Sequence, residues 1–84
     1  MPVTIEQTPN PNALKFTVGR DVGGPTTVVA GQQSEDVTAQ ALVELPGVSS
    51  VFMTADFVTL TRTPDGDWAA IADAAKLILE ERFG

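Results

Sequence analysis

Thiolates, imidazoles and paired carboxylates carry most side-chain chemistry, and this sequence supplies few of them. It has no Cys and no His. That removes thiolate nucleophiles, disulfides, the commonest general base, and the commonest sulfur and nitrogen metal ligands. A Ser, Thr or Lys nucleophile needs a base within hydrogen-bond reach, and no spacing in the chain suggests such a pair. Asp65 and Asp67 in PDGDW offer oxygens to a hard cation, yet a calcium loop needs more oxygen ligands in a longer frame. A loop that caps a helix is the favoured reading of that pair. GRDVGG, from Gly19 to Gly24, is glycine-rich enough to suggest phosphate binding, but a phosphate loop leads into a helix whose amides face the anion. Here Pro25 and a strand-like run follow, so a hairpin loop is expected. Lys15 and Arg20 are the only cations in the first half, too few for a nucleic-acid stripe. Glu44 and Asp56 are the carboxylates nearest the structured turns, and neither has a paired partner. The residues make no case for an enzyme.

The elements that position these side chains must come from 84 residues, enough for one domain over 1–84. Hydrophobic residues make up 43% of the chain and charge is low, which argues for a folded core. A net charge of −6 disfavours phosphate backbones and acidic membrane surfaces as partners. There is no long apolar run, and MPVTIEQT lacks the basic and apolar stretches of a secretory signal. A soluble cytoplasmic protein is therefore expected.

VTIEQ alternates as a half-buried strand does, and ALKFTV sets Leu14, Phe16 and Val18 on one face with Lys15 and Thr17 on the other. TTVVA reads as a third strand, antiparallel to the second. Ser34 is the expected N-cap of a helix whose face carries Val37, Ala41, Leu42 and Leu45 and which Pro46-Gly47 ends. VSSVFMT and DFVTLTR flank a tight turn around Thr54 to Asp56, forming a hairpin without the usual Asn-Gly signal. Asp65 or Asp67 caps a last helix with Trp68, Ile71, Ala75, Ile78 and Leu79 on one stripe, and Trp68 is expected to anchor the core. The order β-β-β-α-β-β-α predicts an α+β two-layer sandwich. Its mostly antiparallel sheet of four to five strands would carry both helices on one face.

Two features are left over. The hairpin strands carry apolar groups on both faces: Val51, Met53, Val58 and Leu60 fit beneath helices, which leaves Phe52 and Phe57 among threonines on the other side. Two uncovered aromatics suggest a contact surface. The register with Phe52 inward and Met53 outward stays open. The second feature is QTPNPNALKF. Its prolines fix their own φ and push Thr8 and Asn10 toward extended backbone, while Asn10 and Asn12 can form Asx-turns. The stiff segment either sets the angle between two strands or is itself read by a partner; stiffness also lowers the ordering cost of binding.

QTPNPNALKF, LPGVSSVFMTADFVTLTR and DWAAIADAAKLILEERF together resemble the N-terminal domain of the Nfu family of NifU-like iron–sulfur scaffold proteins. The likeness runs over nearly the whole chain and is weakest from Arg20 to Gln33. Thr8 through Phe16 match the family's first motif. Pro46, Gly47, Val48, Ser50, Val51, Phe52, Asp56, Phe57 and Thr59 match its second. The first helix here, SEDVTAQAL, lacks a proline often found at its start, and Thr54-Ala55 stands where the turn often has Gly or Pro. The resemblance implies that such a domain precedes a second one whose Cys-x-x-Cys pair holds the cluster. This cysteine-free chain looks like a free-standing form of the first domain. The hairpin is also similar to that of heavy-metal-associated domains, whose Cys-x-x-Cys loop is missing here.

The expected function is a non-catalytic protein-interaction module of iron–sulfur cluster assembly or delivery, with no cofactor or metal ligands of its own. Its partners would be assembly proteins or recipient apo-proteins, not nucleic acid or membrane. Candidate interaction residues are Pro9, Asn10, Pro11, Asn12, Lys15, Phe52, Asp56 and Phe57. The alternative is a small-ligand regulatory module, for which Asn10, Asn12 and Arg20 are the available polar groups. A labile carboxylate-bound iron site is a third possibility, weak for want of sulfur and imidazole.

Overall fold

The computed structural model describes residues 3–23 and 25–83. Strands β1 (Thr4–Gln7), β2 (Ala13–Thr17) and β3 (Thr26–Val29) precede helix α1 (Val37–Val43). Strands β4 (Val48–Thr54) and β5 (Phe57–Arg62) and helix α2 (Trp68–Phe83) follow. The five strands form one sheet in the order β1-β2-β5-β4-β3, with every neighbouring pair antiparallel. The expected α+β architecture and element order are what the chain adopts.

The core lies between one sheet face and the two helices. Phe16 sits opposite Val58, Leu14 opposite Leu60, and Val51 and Met53 opposite Leu60 and Val58. Phe16, Val51, Met53, Val58 and Leu60 are fully buried. Above them Ile71, Ala75 and Leu79, spaced four residues apart, give α2 its buried stripe. Trp68 and Ile78 are half-buried at its margin and pack on the same core.

The β4–β5 hairpin closes as expected through Ala55 and Asp56, with Thr54 opposite Phe57. Ala55 holds φ at +51°, a left-handed backbone that costs a residue with a Cβ about 1–2 kcal/mol. Glycine avoids that cost and loses part of the gain to its greater unfolded-state entropy. Ala55→Gly is therefore expected to raise stability by about 0.5–1 kcal/mol in urea unfolding; an unchanged midpoint would show that the turn is unstrained.

Three expectations are corrected. First, β3 runs antiparallel to β2 but does not pair with it. It pairs with β4, placing Val28 opposite Val51, so two strands lie between β2 and β3. Second, the stretch expected as a hairpin loop is accordingly a crossover, of which residues 19–23 are described and Gly24 lies outside the described residues. The crossover passes the β4–β5 turn, where Val18 and Val22 N–H donate to Asp56 O and Ala55 O, each at 2.8 Å, and Val22 is buried. Third, α1 is capped by Asp36. Its carboxylate accepts from Thr38 N at 3.0 Å and Ala39 N at 3.1 Å, while the Ser34 hydroxyl accepts from Asp36 N. This later start turns the buried face to Thr38, Ala39, Leu42 and Val43, so Val37 is 62% exposed. Leu45 lies beyond the helix and packs on the core from outside it.

β4 also contains an irregularity: Val48 pairs with Arg62 and Ser50 with Thr61, leaving Ser49 as an extra residue. Its hydroxyl donates to Thr61 O at 3.1 Å. This bulge lets Val48 and Val51 both point into the core.

Candidate functional site

Strand alternation puts Phe52 and Phe57 on the face away from the helices, in the register that leaves Met53 inside. Phe52 faces Thr27 on one neighbouring strand and Thr59 on the other, while Phe57 faces Thr17 and Thr54. The two rings are tilted at 58° with centroids 6.4 Å apart, a favourable aromatic geometry. Phe52 remains 38% exposed. The Lys15 ammonium sits 4.6 Å from the centre of the Phe57 ring, within reach of the ring's negative face. On β1, Glu6 stands opposite Lys15 and accepts a hydrogen bond from the Thr17 hydroxyl at 3.2 Å. Asp56 lies exposed in the turn beside Phe57. Lys15, Phe52, Asp56 and Phe57 thus share one end of the open face.

Pro9, Asn10, Pro11 and Asn12 lie elsewhere. They precede Ala13, whose partner is Thr61, whereas Phe57 pairs with Thr17 at the far end of the same ladder. The segment is a braced turn. Asn10 Oδ1 accepts from Asn12 N at 2.9 Å, Ala13 N donates to Asn10 O at 3.0 Å, and the Thr8 hydroxyl lies 2.9 and 3.0 Å from the Asn10 and Ala13 carbonyls. Arg62 then ties the turn to the end of β5. Its backbone N–H donates to Asn12 O at 2.8 Å, its Nε to Asn12 Oδ1 at 3.2 Å, and a terminal guanidinium N–H to Gly66 O at 3.0 Å. The Trp68 indole N–H donates to Pro11 O at 3.3 Å, with the Arg62 guanidinium 5.8 Å from the Trp68 ring. Trp68 thus anchors the turn to α2 as well as packing on the core. Neither Arg62 nor this use of Trp68 was part of the sequence reading. Nothing local links Arg62 to a side chain 50 positions away.

A shallow pocket of about 250 Å³ opens between this turn, Leu14 and Trp68. Of the polar groups considered for a small ligand, Asn10 lines it, while Asn12 and Arg20 do not. Asn12 is committed to Arg62, and Arg20 donates to the Phe83 carbonyl at 3.1 Å, at the C-terminus of α2. In the PDGDW loop Asp67 accepts from Ala69 N at 3.0 Å as α2 begins. Asp65 accepts from the Thr63 hydroxyl at 2.7 Å, a bond that holds its exposed carboxyl below the usual carboxylate value. Both aspartates serve the loop and cap. Among the described residues no three acidic side chains come together as a metal site, and no helix is long and apolar enough to cross a membrane.

Comparison with known proteins places this arrangement. The family described as scaffold protein Nfu/NifU N terminal matches residues 3–84. A NifU-like protein of Schizosaccharomyces pombe is 39% identical over 86 aligned residues, covering 96% of this chain and 33% of its own length. The mitochondrial NFU1 iron-sulfur cluster scaffold homolog of Drosophila virilis is 30% identical over 96% of this chain and 28% of its own length. The chain thus spans about a third of the curated relatives it matches. Among solved structures, a NifU-like protein from Saccharomyces cerevisiae aligns with a TM-score of 0.75 at 24% identity, over 94% of this chain and 75% of that one. Protein SAV1430 from Staphylococcus aureus aligns at 0.77 and 22% identity, over 93% and 98%. These likenesses establish the shared fold. The relatives also correct the expected cytoplasmic location: the fly proteins matched along nearly the whole chain are mitochondrial. Composition and net charge do not set an address. By the extent of the family match, over residues 3–84, the chain belongs to the Nfu/NifU scaffold family as an N-terminal domain.

Proposed function

We propose that residues 1–84 act as one non-catalytic interaction domain in iron–sulfur cluster assembly, docking on a protein partner through the open sheet face. The observation that carries this reading is the Phe52–Phe57 pair, with Lys15 over Phe57 and Phe52 38% exposed, on the sheet face that the helices leave open. Family membership supplies the setting. The relatives described as iron-sulfur cluster scaffolds support the choice of partner class: an assembly protein or a recipient apo-protein. With no Cys and no His, this chain offers a cluster neither thiolate nor imidazole. The cluster is then cargo held by the partner, and the domain contributes affinity and orientation. The Pro9–Asn12 turn serves this role indirectly, because its bonds to Arg62 and Trp68 fix the sheet against α2 and keep the face pre-formed.

The test is a titration of the isotopically labelled chain with a purified cysteine-bearing iron–sulfur scaffold protein, followed by amide NMR. Shifts should concentrate at Lys15, Phe52, Phe57 and Thr59. Phe52→Ala should weaken binding roughly tenfold, as loss of an aromatic anchor does. Its amide spectrum should otherwise stay native. Undiminished binding by a folded Phe52→Ala variant rules out the face as the docking site.

A further inference from the structure

The open face is charged differently from the rest of the molecule. The chain has 11 acidic residues against 5 Lys and Arg, yet its strands contain only Glu6, Lys15 and Arg62 as charged groups. Arg62 is turned toward Gly66 and Trp68 on the helix side. Glu6 and Lys15 stand opposite one another, so the face itself is neutral. The surplus negative charge begins at its margin. Asp56 occupies the hairpin turn next to Phe57, and Asp21 lies on the crossover segment bonded to that same turn. At physiological salt an exposed charge acts over about 8 Å, so the carboxylates at the margin, and not the distant ones, set the field beside the face.

We infer that the partner's docking surface is an apolar patch fringed by lysine or arginine. Its apolar centre covers Phe52 and Phe57, and its cations meet Asp56 and Asp21. This rests on the open face being the docking site, as proposed above, and adds the chemistry that fits it. Complementary charge at a rim speeds encounter and rejects like-charged surfaces, while the apolar centre holds the complex. A second copy of this chain fits poorly, since it brings the same negative surplus to the same margin.

The probes are two designed helical peptides with one shared leucine face, carrying lysines on the polar face in one and glutamates in the other. The lysine peptide should bind and shift the amide signals of Phe52, Asp56 and Phe57. Its affinity should fall about tenfold between about 50 and about 300 mM NaCl. Asp56→Asn should weaken it severalfold and flatten that salt dependence, and Phe52→Ala should weaken it at every salt concentration. Equal binding of both peptides, binding of neither, or lysine-peptide binding untouched by Phe52→Ala overturns the inference. So does sedimentation showing that the chain dimerises through Phe52, because a second copy then covers the face. Failure here leaves the scaffold-protein titration standing. Conversely, a silent scaffold with a bound lysine peptide removes the iron–sulfur assignment and keeps the surface chemistry.

Discussion

Phe16→Ala is expected to lower the unfolding free energy by about 3–5 kcal/mol, the range for truncating a buried Phe. Phe16 is 0% exposed, sits on β2 against Val58 of β5, and belongs to the cluster that joins the sheet to both helices. Removing the ring loses its transfer free energy and leaves a cavity that flanking strands, held by their ladders, cannot fill. A chain of 84 residues has a total stability of about 4–13 kcal/mol at the usual value per residue. The single change therefore takes a large share of the total and lowers the thermal midpoint by well over ten degrees, at about 4–8 °C per kcal/mol for a domain of this size. Phe52→Ala is the matched control on the opposite face. It should cost about 0.5–1.5 kcal/mol, the worth of its contact with the Phe57 ring, and so clearly less than Phe16→Ala. Urea unfolding of both variants decides the matter. Equal losses, or the larger loss at Phe52, would mean that the two faces have been assigned the wrong way round.

That contrast was legible in the residue order because it depends on a period of two. Once Val51, Met53, Val58 and Leu60 are placed under the helices, Phe52, Phe57 and the threonines must point away. The stripe of α2 was legible for the same kind of reason, being set by spacing within one element. What escaped was set between elements. The sheet order depends on which strands bury each other best, and Val28 opposite Val51 is a choice made across the intervening helix. The start of α1 was ambiguous because Ser34 and Asp36 are both good caps. The geometry gives the helix to Asp36, whose carboxylate reaches two amides, while Ser34 caps the turn before it.

The candidate site divided along the same line. The TPNPN turn and the aromatic pair are both candidates for docking from the sequence, and the ladder register places them at opposite ends of β2 and β5. The turn's exposed residues carry their polar groups inward, to Arg62 and Trp68. Its stiffness is therefore used first to hold the fold. The aromatic pair lies across the outer surface of the sheet, where the two rings meet each other, Lys15 stands over Phe57 and threonines flank them. Apolar side chains that the helices leave uncovered are where a contact surface is expected.

Gly66→Ala is expected to destabilise the domain by about 2–4 kcal/mol, as overpacking against unyielding neighbours does. A Cβ on Gly66 would stand 2.7 Å from the Gly47 carbonyl oxygen, 3.0 Å from Arg62 Cβ and 3.2 Å from the Thr63 carbonyl oxygen. Backbone supplies two of these three obstacles, so no rotamer change relieves them. The loops are also bonded together: Thr63 N–H donates to Gly47 O at 2.8 Å and Gly66 N–H to Thr63 O at 2.9 Å. Moving Gly66 outward breaks that closure and withdraws the carbonyl that Arg62 uses, loosening the brace on Asn12. Gly47 faces the same contact from the other side. It holds φ at +91°, and its Cβ would meet Ile71 Cδ1 at 3.0 Å and Gly66 Cα at 3.1 Å. Gly47→Ala therefore adds left-handed strain of about 1–2 kcal/mol to its own crowding. Because either alanine forces the same two loops apart, the double variant should lose less than the sum of the singles, by about 1 kcal/mol. Additive losses in urea unfolding would show two separate defects, and a Gly66→Ala variant as stable as the parent would show that the loops do not meet there at all.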